Sequence, residues 1–291
     1  MISASLVKEL REKSGVGMLD CKNALEENNG DIELALDWLR ERGIAKATKK
    51  ASRIAAEGLT KIFIDGNKAV VIEVNSETDF VSKNNEFIEL IDIIGDKAIK
   101  SEASTVDAIL ALPYESETIN DLIIAKTFKI GEKLSLRRVA ILNKNDDQIF
   151  GAYSHNGGRI AVVVVLNNGN EDIAKDVAMQ SAAMIPKYIR IEDIPGDVLD
   201  HERSVLIEQS INEGKTEEIA QKMVEGRIKK FYQDVVLLNQ SFIKDSSIDI
   251  ATYLKNNQAA LIDMVRFEVG EGMEKRSDDF AGEVLSQAKG E

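Results

Sequence analysis

Apolar residues at helical spacing fill roughly the first 45 residues of the chain. They recur three or four positions apart in three runs, which are separated by breaks at Ser14–Gly17 and Asn28–Gly30. Asp31 stands where the third helix needs its N-cap, and Gly43 fits the C-terminus of that helix. The pattern predicts a small three-helix module, which we assign to residues 1–55.

After Glu57 the pattern changes to the apolar runs and branched residues that are typical of strands. Leu59–Ile64 and Ala69–Val74 flank a turn at Asp65–Asn67, which predicts a β-hairpin. A helix is expected after the hairpin at residues 87–98, and further helical sequence continues to Ile130. A returning strand is expected at Lys133–Leu142.

The same plan recurs further along the chain. Residues 66–75 align without a gap with residues 158–167, and a helical pattern follows each segment. The second copy is longer, because helical segments at 198–211 and 216–228 have no counterpart in the first. We therefore expect an α+β fold with a duplicated α/β core of antiparallel sheets. Beyond the N-terminal module, we expect one core subdomain at 56–142 and a second at 143–195 and 230–269. An inserted helical hairpin is expected at 196–229, and a C-terminal helical module at 270–291.

The inserted hairpin allows two interpretations. If it projects, apolar positions such as Ile219, Met223 and Val224 are available for self-association or for a partner. If it folds back, the same residues belong to an ordinary core. The pattern alone leaves both open.

Composition narrows the function classes. The chain has 50 acidic and 37 basic residues, and its net charge of −13 at pH 7 opposes general binding to nucleic acid. One cysteine, Cys21, and two histidines, His155 and His201, exclude an internal disulfide and a zinc site of the Cys/His kind. The longest strongly apolar run, Ile160–Leu166, is far shorter than the roughly 18 residues of a membrane span, and the N-terminus lacks a secretory pattern. We expect a soluble, cytoplasmic protein without a membrane partner.

The sequence shows no recognisable catalytic arrangement. The phosphate-binding pattern G-x-x-x-x-G-K-[ST] does not occur, and Cys21 has no histidine near it in sequence. His155 stands alone at a predicted turn. We therefore expect no catalytic residue, no cofactor and no metal, in a protein that acts by binding. A hydrolase built on some of the many carboxylates is an alternative.

The segment from Arg40 to Arg53 is basic within an acidic chain. It has six basic residues against one acidic residue, Glu41. The charge fits contact with an acidic partner or with RNA, as in a ribosome or RNA adaptor whose binding weakens with salt. It also fits a solvated connecting helix, since charged runs usually face water.

A polar connection after the first hairpin contains a large aromatic residue. Phe80 lies within Ser76–Ser82, and loops of this kind carry function disproportionately. A structural interpretation competes, because Ser76 and Asp79 have the spacing of a capping box and Phe80 could pack on Phe87 as a staple.

This connection includes Thr78-Asp79-Phe80-Val81, which matches the signature of bacterial translation elongation factor Ts. Further blocks follow in the expected order, so the chain resembles that family from residue 5 to beyond residue 270. These blocks are Leu6–Arg11 with Gly15–Lys22, Asn29–Asp31, Ile130–Glu132 before Arg137–Val139, His155 with Gly158–Ile160, Lys222–Arg227 and Arg266–Gly272.

The resemblance implies a guanine-nucleotide exchange factor that binds GDP-loaded elongation factor Tu, disrupts its Mg²⁺ and phosphate site and releases GDP. It also implies a UBA-like N-terminal module and dimerisation through residues 196–229. From the acidic charge we expect no direct nucleic-acid partner. The residues that it assigns to displacement of the partner's Mg²⁺ are Thr78, Asp79, Phe80 and Val81. The further partner contacts that it suggests are Met18, Lys22, Ile130, Gly131 and His155.

Overall fold

The computed structural model describes residues 2–274, and for residues 46–48 it describes the backbone only. Helices are mixed with small sheets along this part of the chain, which is an α+β arrangement. The chain forms two compact units. Unit 1 holds the described residues up to Thr60, Ile72–Val139 and the described chain from Glu268, and unit 2 holds Lys61–Val71 and Ala140–Phe267.

The helices are α1 (Ala4–Ser14), α2 (Met18–Glu27), α3 (Ile32–Lys50), α4 (Asp79–Ser82), α5 (Asn85–Ile99), α6 (Val106–Leu110), α7 (Ile119–Ile130), α8 (Glu171–Met184), α9 (Gly196–Asn212), α10 (Glu217–Val235) and α11 (Ile250–Asn256). The strands are β1 (Glu57–Asp65), β2 (Lys68–Ser76), β3 (Pro113–Tyr114), β4 (Glu117–Thr118), β5 (Ser135–Asn143), β6 (Gln148–His155), β7 (Ile160–Asn167), β8 (Ser241–Phe242), β9 (Asp245–Asp249) and β10 (Ala260–Glu268). The predicted five-segment division stays a prediction, and residues 275–291 of its C-terminal module lie outside the described residues.

The first three helices of unit 1, α1–α3, pack on one another. Their shared core includes the fully buried side chains of Leu10, Cys21 and Leu25. Asp31 is the N-cap that the pattern predicts for α3, since its Oδ1 accepts a hydrogen bond from the Leu34 backbone N–H at 3.0 Å.

The predicted end of the third helix at Gly43 is wrong, because α3 continues to Lys50. Gly43 lies against α7, where an added Cβ would come within 3.2 Å of the Phe128 ring. The glycine therefore permits close packing of two helices instead of ending one. Much of the basic segment is consequently helical, as one interpretation of its charge anticipated.

Two three-stranded sheets repeat one topology. The first has the order β1-β2-β5 and the second the order β6-β7-β10, so each has a hairpin whose second strand pairs with a later returning strand. In the second sheet β6 and β7 run antiparallel, with Gln148 opposite Asn167 and His155 opposite Ile160. This common order supports the predicted duplication.

Strand β7 lies in the centre of unit 2 and is buried on both faces. Its even-numbered residues pack in a cluster with α8 and α11, whereas its odd-numbered residues pack in a second cluster with Ala69, Leu142 and Phe267. Alternating side chains of one strand point to opposite faces, so a strand covered on both sides needs an uninterrupted apolar run. Ile160–Leu166 is that run.

The inserted hairpin of unit 2 consists of α9 and α10, which pack on each other. Its buried apolar side chains are on α10, at Ala220, Val224 and Ile228. Ile211 and Ile219 are exposed by 44% and 48%. The hairpin thus has both a packed side and exposed apolar residues, and dimerisation through it stays a prediction.

A buried carboxylate organises one end of unit 1. Glu73 on β2 is fully buried, and it accepts hydrogen bonds from Arg137 at 3.0 Å, from Arg138 and from the Gly270 backbone N–H at 2.9 Å. Burial alone would raise the pKa of Glu73, but these hydrogen bonds outweigh it and hold the pKa below its usual value. The carboxylate therefore fixes the chain that follows β10.

Candidate functional site

The connection from β2 to α5 presents one aromatic side chain to solvent. Phe80 is 80% exposed, whereas the next residue, Val81, is buried. The predicted packing of Phe80 on Phe87 is therefore wrong. The predicted capping box is also wrong, because the N-cap of α4 is Thr78 and not Ser76, whose hydroxyl donates to the Thr78 carbonyl at 2.9 Å.

Thr78 is held by a carboxylate from the turn after α7. Its backbone N–H donates to Oε2 of Glu132 at 2.9 Å, and its hydroxyl donates to Oε1 of the same side chain at 2.7 Å. Hydrogen bonds to an ionised acceptor are shorter and stronger than neutral ones. Both oxygens of one carboxylate thus hold Thr78, the N-cap residue of α4.

A second carboxylate makes the reverse connection. Oε1 of Glu77 accepts a hydrogen bond from the Lys133 backbone N–H at 2.7 Å, and Glu77 also pairs with Arg53 at 3.2 Å. We call Glu77, Thr78, Glu132 and Lys133 the loop clamp. In the loop clamp, Glu132 binds Thr78 and Glu77 binds the backbone N–H of Lys133.

The end of α3 is tied to the same turn. Nζ of Lys133 donates to the backbone carbonyls of Ala51 at 2.6 Å and Arg53 at 2.9 Å, and Nζ of Lys50 donates to the carbonyl of Gly131. The loop clamp is therefore braced by backbone carbonyls of the segment that follows α3, and Lys50 ties the end of α3 to the turn itself.

Asp79 begins α4 and lies next to Phe80. Its Oδ2 pairs with Nζ of Lys83 at 2.9 Å, one helical turn away, while its backbone carbonyl accepts from the Ser82 hydroxyl at 2.7 Å. Both members of the ion pair are substantially exposed. A pair of this kind contributes little to stability, so the carboxylate can exchange partners at small cost.

Gly131 ends α7 in a left-handed conformation, with φ at +90°, and its N–H donates to the Thr127 carbonyl at 3.0 Å. A glycine fits this position because other L-residues are strained there. The chain reverses here and delivers Glu132 to Thr78. Ile130, the last residue of α7, is half-buried.

Met18 and Lys22 lie on α2 and not in the Phe80 loop. Met18 is 46% exposed, and Lys22 forms an exposed ion pair with Glu26 at 3.5 Å. His155 belongs to unit 2, at the end of β6. Its exposed ring lies 5.9 Å from that of Tyr153, whose hydroxyl is 3.2 Å from Nδ1.

Several basic side chains of residues 40–53 have partners within unit 1. Arg40 pairs with Glu117 at 2.8 Å, and the Arg42 guanidinium lies 4.6 Å from the centre of the Trp38 ring. With Lys50 and Arg53 engaged as described, much of this charge is used within the fold. The local charge therefore gives little support to an RNA-binding role.

Within residues 2–274, the structure has no group of three or more His, Cys, Asp or Glu side chains arranged to hold a metal ion. No helix in that same range combines the length and apolar character that crossing a membrane requires.

Sequence reasoning assigned no role to Glu77, Glu132 or Lys133. The only signal was the position of Glu132 beside Ile130 and Gly131 in a matched block. Contact between Glu132 and Thr78 joins residues far apart in sequence, which no local pattern reveals.

An exposed aromatic side chain on a braced loop is typical of a protein that recognises another macromolecule. A family model described as Elongation factor TS matches residues 77–271, about two thirds of the chain, and the chain belongs to this family. The family has a nucleotide-exchange role in translation elongation. The match includes Thr78–Val81, Ile130, Gly131 and His155, and it begins after Met18 and Lys22.

Proposed function

We propose that this chain binds GDP-loaded elongation factor Tu and accelerates the release of GDP, so that GTP can bind. In this proposal Phe80 and Asp79 enter the region of the partner that holds Mg²⁺ and the nucleotide phosphates. Thr78 and the buried Val81 support the two residues from within the loop. The observation that carries the proposal is the 80% exposure of Phe80 on a loop that unit 1 fixes.

Exchange of this kind requires differential binding and no covalent step. The factor must bind the nucleotide-free partner more tightly than the nucleotide-bound partner, and by reciprocity the nucleotide then weakens binding of the factor. A chain whose distinctive feature is a presented side chain fits this mode of action. The cytoplasm, where translation elongation takes place, is the compartment that we propose.

The contribution expected of Phe80 is large but incomplete. Truncating a central aromatic residue at an interface typically costs about 2–4 kcal/mol, or roughly thirty-fold to a thousandfold in an equilibrium constant. Complete exchange therefore needs further contacts. We propose Met18, Lys22, Ile130, Gly131 and His155 for this role, and we retain dimerisation through residues 196–229 as a part of the proposal.

The direct test follows release of a fluorescent GDP from elongation factor Tu by stopped flow. We expect Phe80→Ala to slow factor-stimulated release by roughly thirty-fold or more, because the aromatic contact is lost. Asp79→Ala should slow release less. Ile64→Ala is the matched control, since it also truncates an exposed apolar side chain but lies outside the loop, on β1.

The same assay in EDTA examines the route through Mg²⁺. EDTA removes the Mg²⁺ that Phe80 is proposed to displace. The reduction in the rate of GDP release caused by Phe80→Ala should therefore be smaller in EDTA. If Phe80→Ala stimulates GDP release at the wild-type rate, Phe80 has no part in the mechanism. If its deficit is the same with and without EDTA, Phe80 still contributes to exchange but does not act by displacing Mg²⁺.

A further inference from the structure

The loop clamp raises a question that the exposure of Phe80 does not answer, namely what holds this side chain in position. Thr78 is the residue before α4, and two of its groups bind the carboxylate of Glu132. Both bonds lie two residues from Phe80 along the chain. They hold the N-cap residue from which the first turn of α4 continues to Phe80.

The rest of α4 cannot fix the direction of Phe80 by itself. The helix has four residues, which is about one turn, and a single turn is marginal without external support. Support from within the fold comes from the buried side chain of Val81. Support from outside the helix acts on Thr78, where the Ser76 hydroxyl binds the carbonyl and the two oxygens of Glu132 bind both the backbone N–H and the side chain.

We propose that Glu132 is a positioning residue for nucleotide exchange, which holds Thr78 so that Phe80 meets the partner in one conformation. The inference rests on the proposed function and adds to it a residue that would act without touching the partner. Thr78 serves as the other half of the same bond pair. A mobile loop would still bind through other contacts, but its Phe80 would be displaced from the orientation that drives GDP release.

The proposal separates two kinetic quantities. Loss of the clamp should reduce the maximal rate of GDP release at saturating factor more than it changes the factor concentration that gives half of that rate. We expect Glu132→Ala to reduce the maximal rate by about tenfold, which is the scale of a lost hydrogen bond to a charged group. Glu102→Ala removes an exposed carboxylate elsewhere in unit 1 and should leave both quantities unchanged.

Two variants of Thr78, to valine and to serine, test the same bond with substitutions that disturb the fold less than Glu132→Ala. Thr78→Val keeps the shape and the backbone N–H but removes the hydroxyl donor, so it should reduce the maximal rate by a smaller factor than Glu132→Ala. Thr78→Ser restores the donor and should return the rate toward that of the wild type. A merely structural role would make the rates follow thermal stability instead of the presence of the hydroxyl.

Hydrogen exchange of the Thr78 amide reports on the clamp in the factor alone. We expect faster exchange in Glu132→Ala than in the wild type or Glu102→Ala, because the amide loses its acceptor. Unchanged amide protection would overturn the assignment of Glu132 as the group that holds the loop. Faster amide exchange with a wild-type maximal rate would overturn its role in positioning.

Failure of the broader proposal gives a different result. If the wild-type factor does not accelerate GDP release, then the proposed function fails, and the positioning role for exchange fails with it. The amide measurement would still show whether Glu132 fixes the loop.

Discussion

At the scale of single residues, two phenylalanines seven positions apart have opposite environments. Phe87 on α5 is fully buried, whereas Phe80 is 80% exposed. An exposed aromatic side chain buries little surface on folding, so it contributes little to stability and remains available for binding. The two residues allow the contributions to stability and to function to be separated.

We expect Phe80→Ala to change the free energy of unfolding by less than about 0.5 kcal/mol, as is usual for surface positions. Phe87→Ala should cost about 3–5 kcal/mol, because it removes a buried ring and leaves a cavity. Urea unfolding of both variants checks this difference. A large loss of stability in Phe80→Ala would mean that its ring is packed in the folded protein.

The sequence identified the Phe80 loop but not its conformation. A large aromatic residue in a polar connection drew attention to it, yet the capping-box spacing of Ser76 and Asp79 favoured a packed ring equally well. In the structure Thr78, and not Ser76, is the N-cap of α4, and the distant Glu132 binds it. Such long-range pairing lies outside what local spacing can predict.

At the scale of elements, the helical and strand patterns predicted most of the larger elements. The main error concerned Gly43, where a residue that commonly ends helices instead allows α3 to approach Phe128 of α7. The short strands β3, β4, β8 and β9 had no signal in the sequence pattern, because two to five residues are too few to establish a period.

Two glycines of unit 2 should respond to substitution in opposite directions. Gly226 lies in the middle of α10 and is exposed to solvent, and an added Cβ would have no neighbour within 4 Å. Gly151 on β6 faces α8 so closely that an added Cβ would lie 2.2 Å from the Ala174 carbonyl oxygen.

We expect Gly226→Ala to stabilise the protein by about 0.5–1 kcal/mol, because alanine loses less conformational entropy in a helix. Gly151→Ala should destabilise it by about 1–3 kcal/mol or more, since the backbone of α8 has to move. Midpoints of urea unfolding measure both effects. Destabilisation by Gly226→Ala would indicate that this face of α10 is packed in solution.

At the scale of the whole molecule, the sequence predicted the repeated core through the alignment of residues 66–75 with residues 158–167. The common strand order of the two sheets agrees with it. The two-unit division could not be predicted in the same way, because it separates residues within single strands such as β2. Sequence patterns show where elements lie, but not how compact units divide them.

Acid should weaken the whole molecule partly through Glu73. Its pKa is lower in the folded protein than its ordinary value of 4.5. The ionised carboxylate therefore stabilises the fold above that value, and this contribution is lost as the pH falls through the lower folded pKa. Arg137 and Arg138 are the cations that bind it.

We expect Glu73→Gln to lower the free energy of unfolding by about 3–5 kcal/mol at neutral pH, because two arginines lose a buried partner. The difference from the wild type should narrow as the pH falls below about 4.5. Urea unfolding across this range measures it, with Glu102→Gln as the exposed control. A difference that does not vary with pH would contradict the role assigned to ionised Glu73.

The contacts of Glu73 also set a limit for truncation of the chain from its C-terminus. Gly270 supplies a backbone donor to the carboxylate, while Glu271 supplies a carbonyl oxygen to Arg137 and a carboxylate to Arg138 at 3.1 Å. A chain shortened to end before Gly270 loses all three contacts at once and leaves a buried charge with fewer partners. A shortened version therefore needs to keep the chain at least through Glu271, which is also where the family match ends.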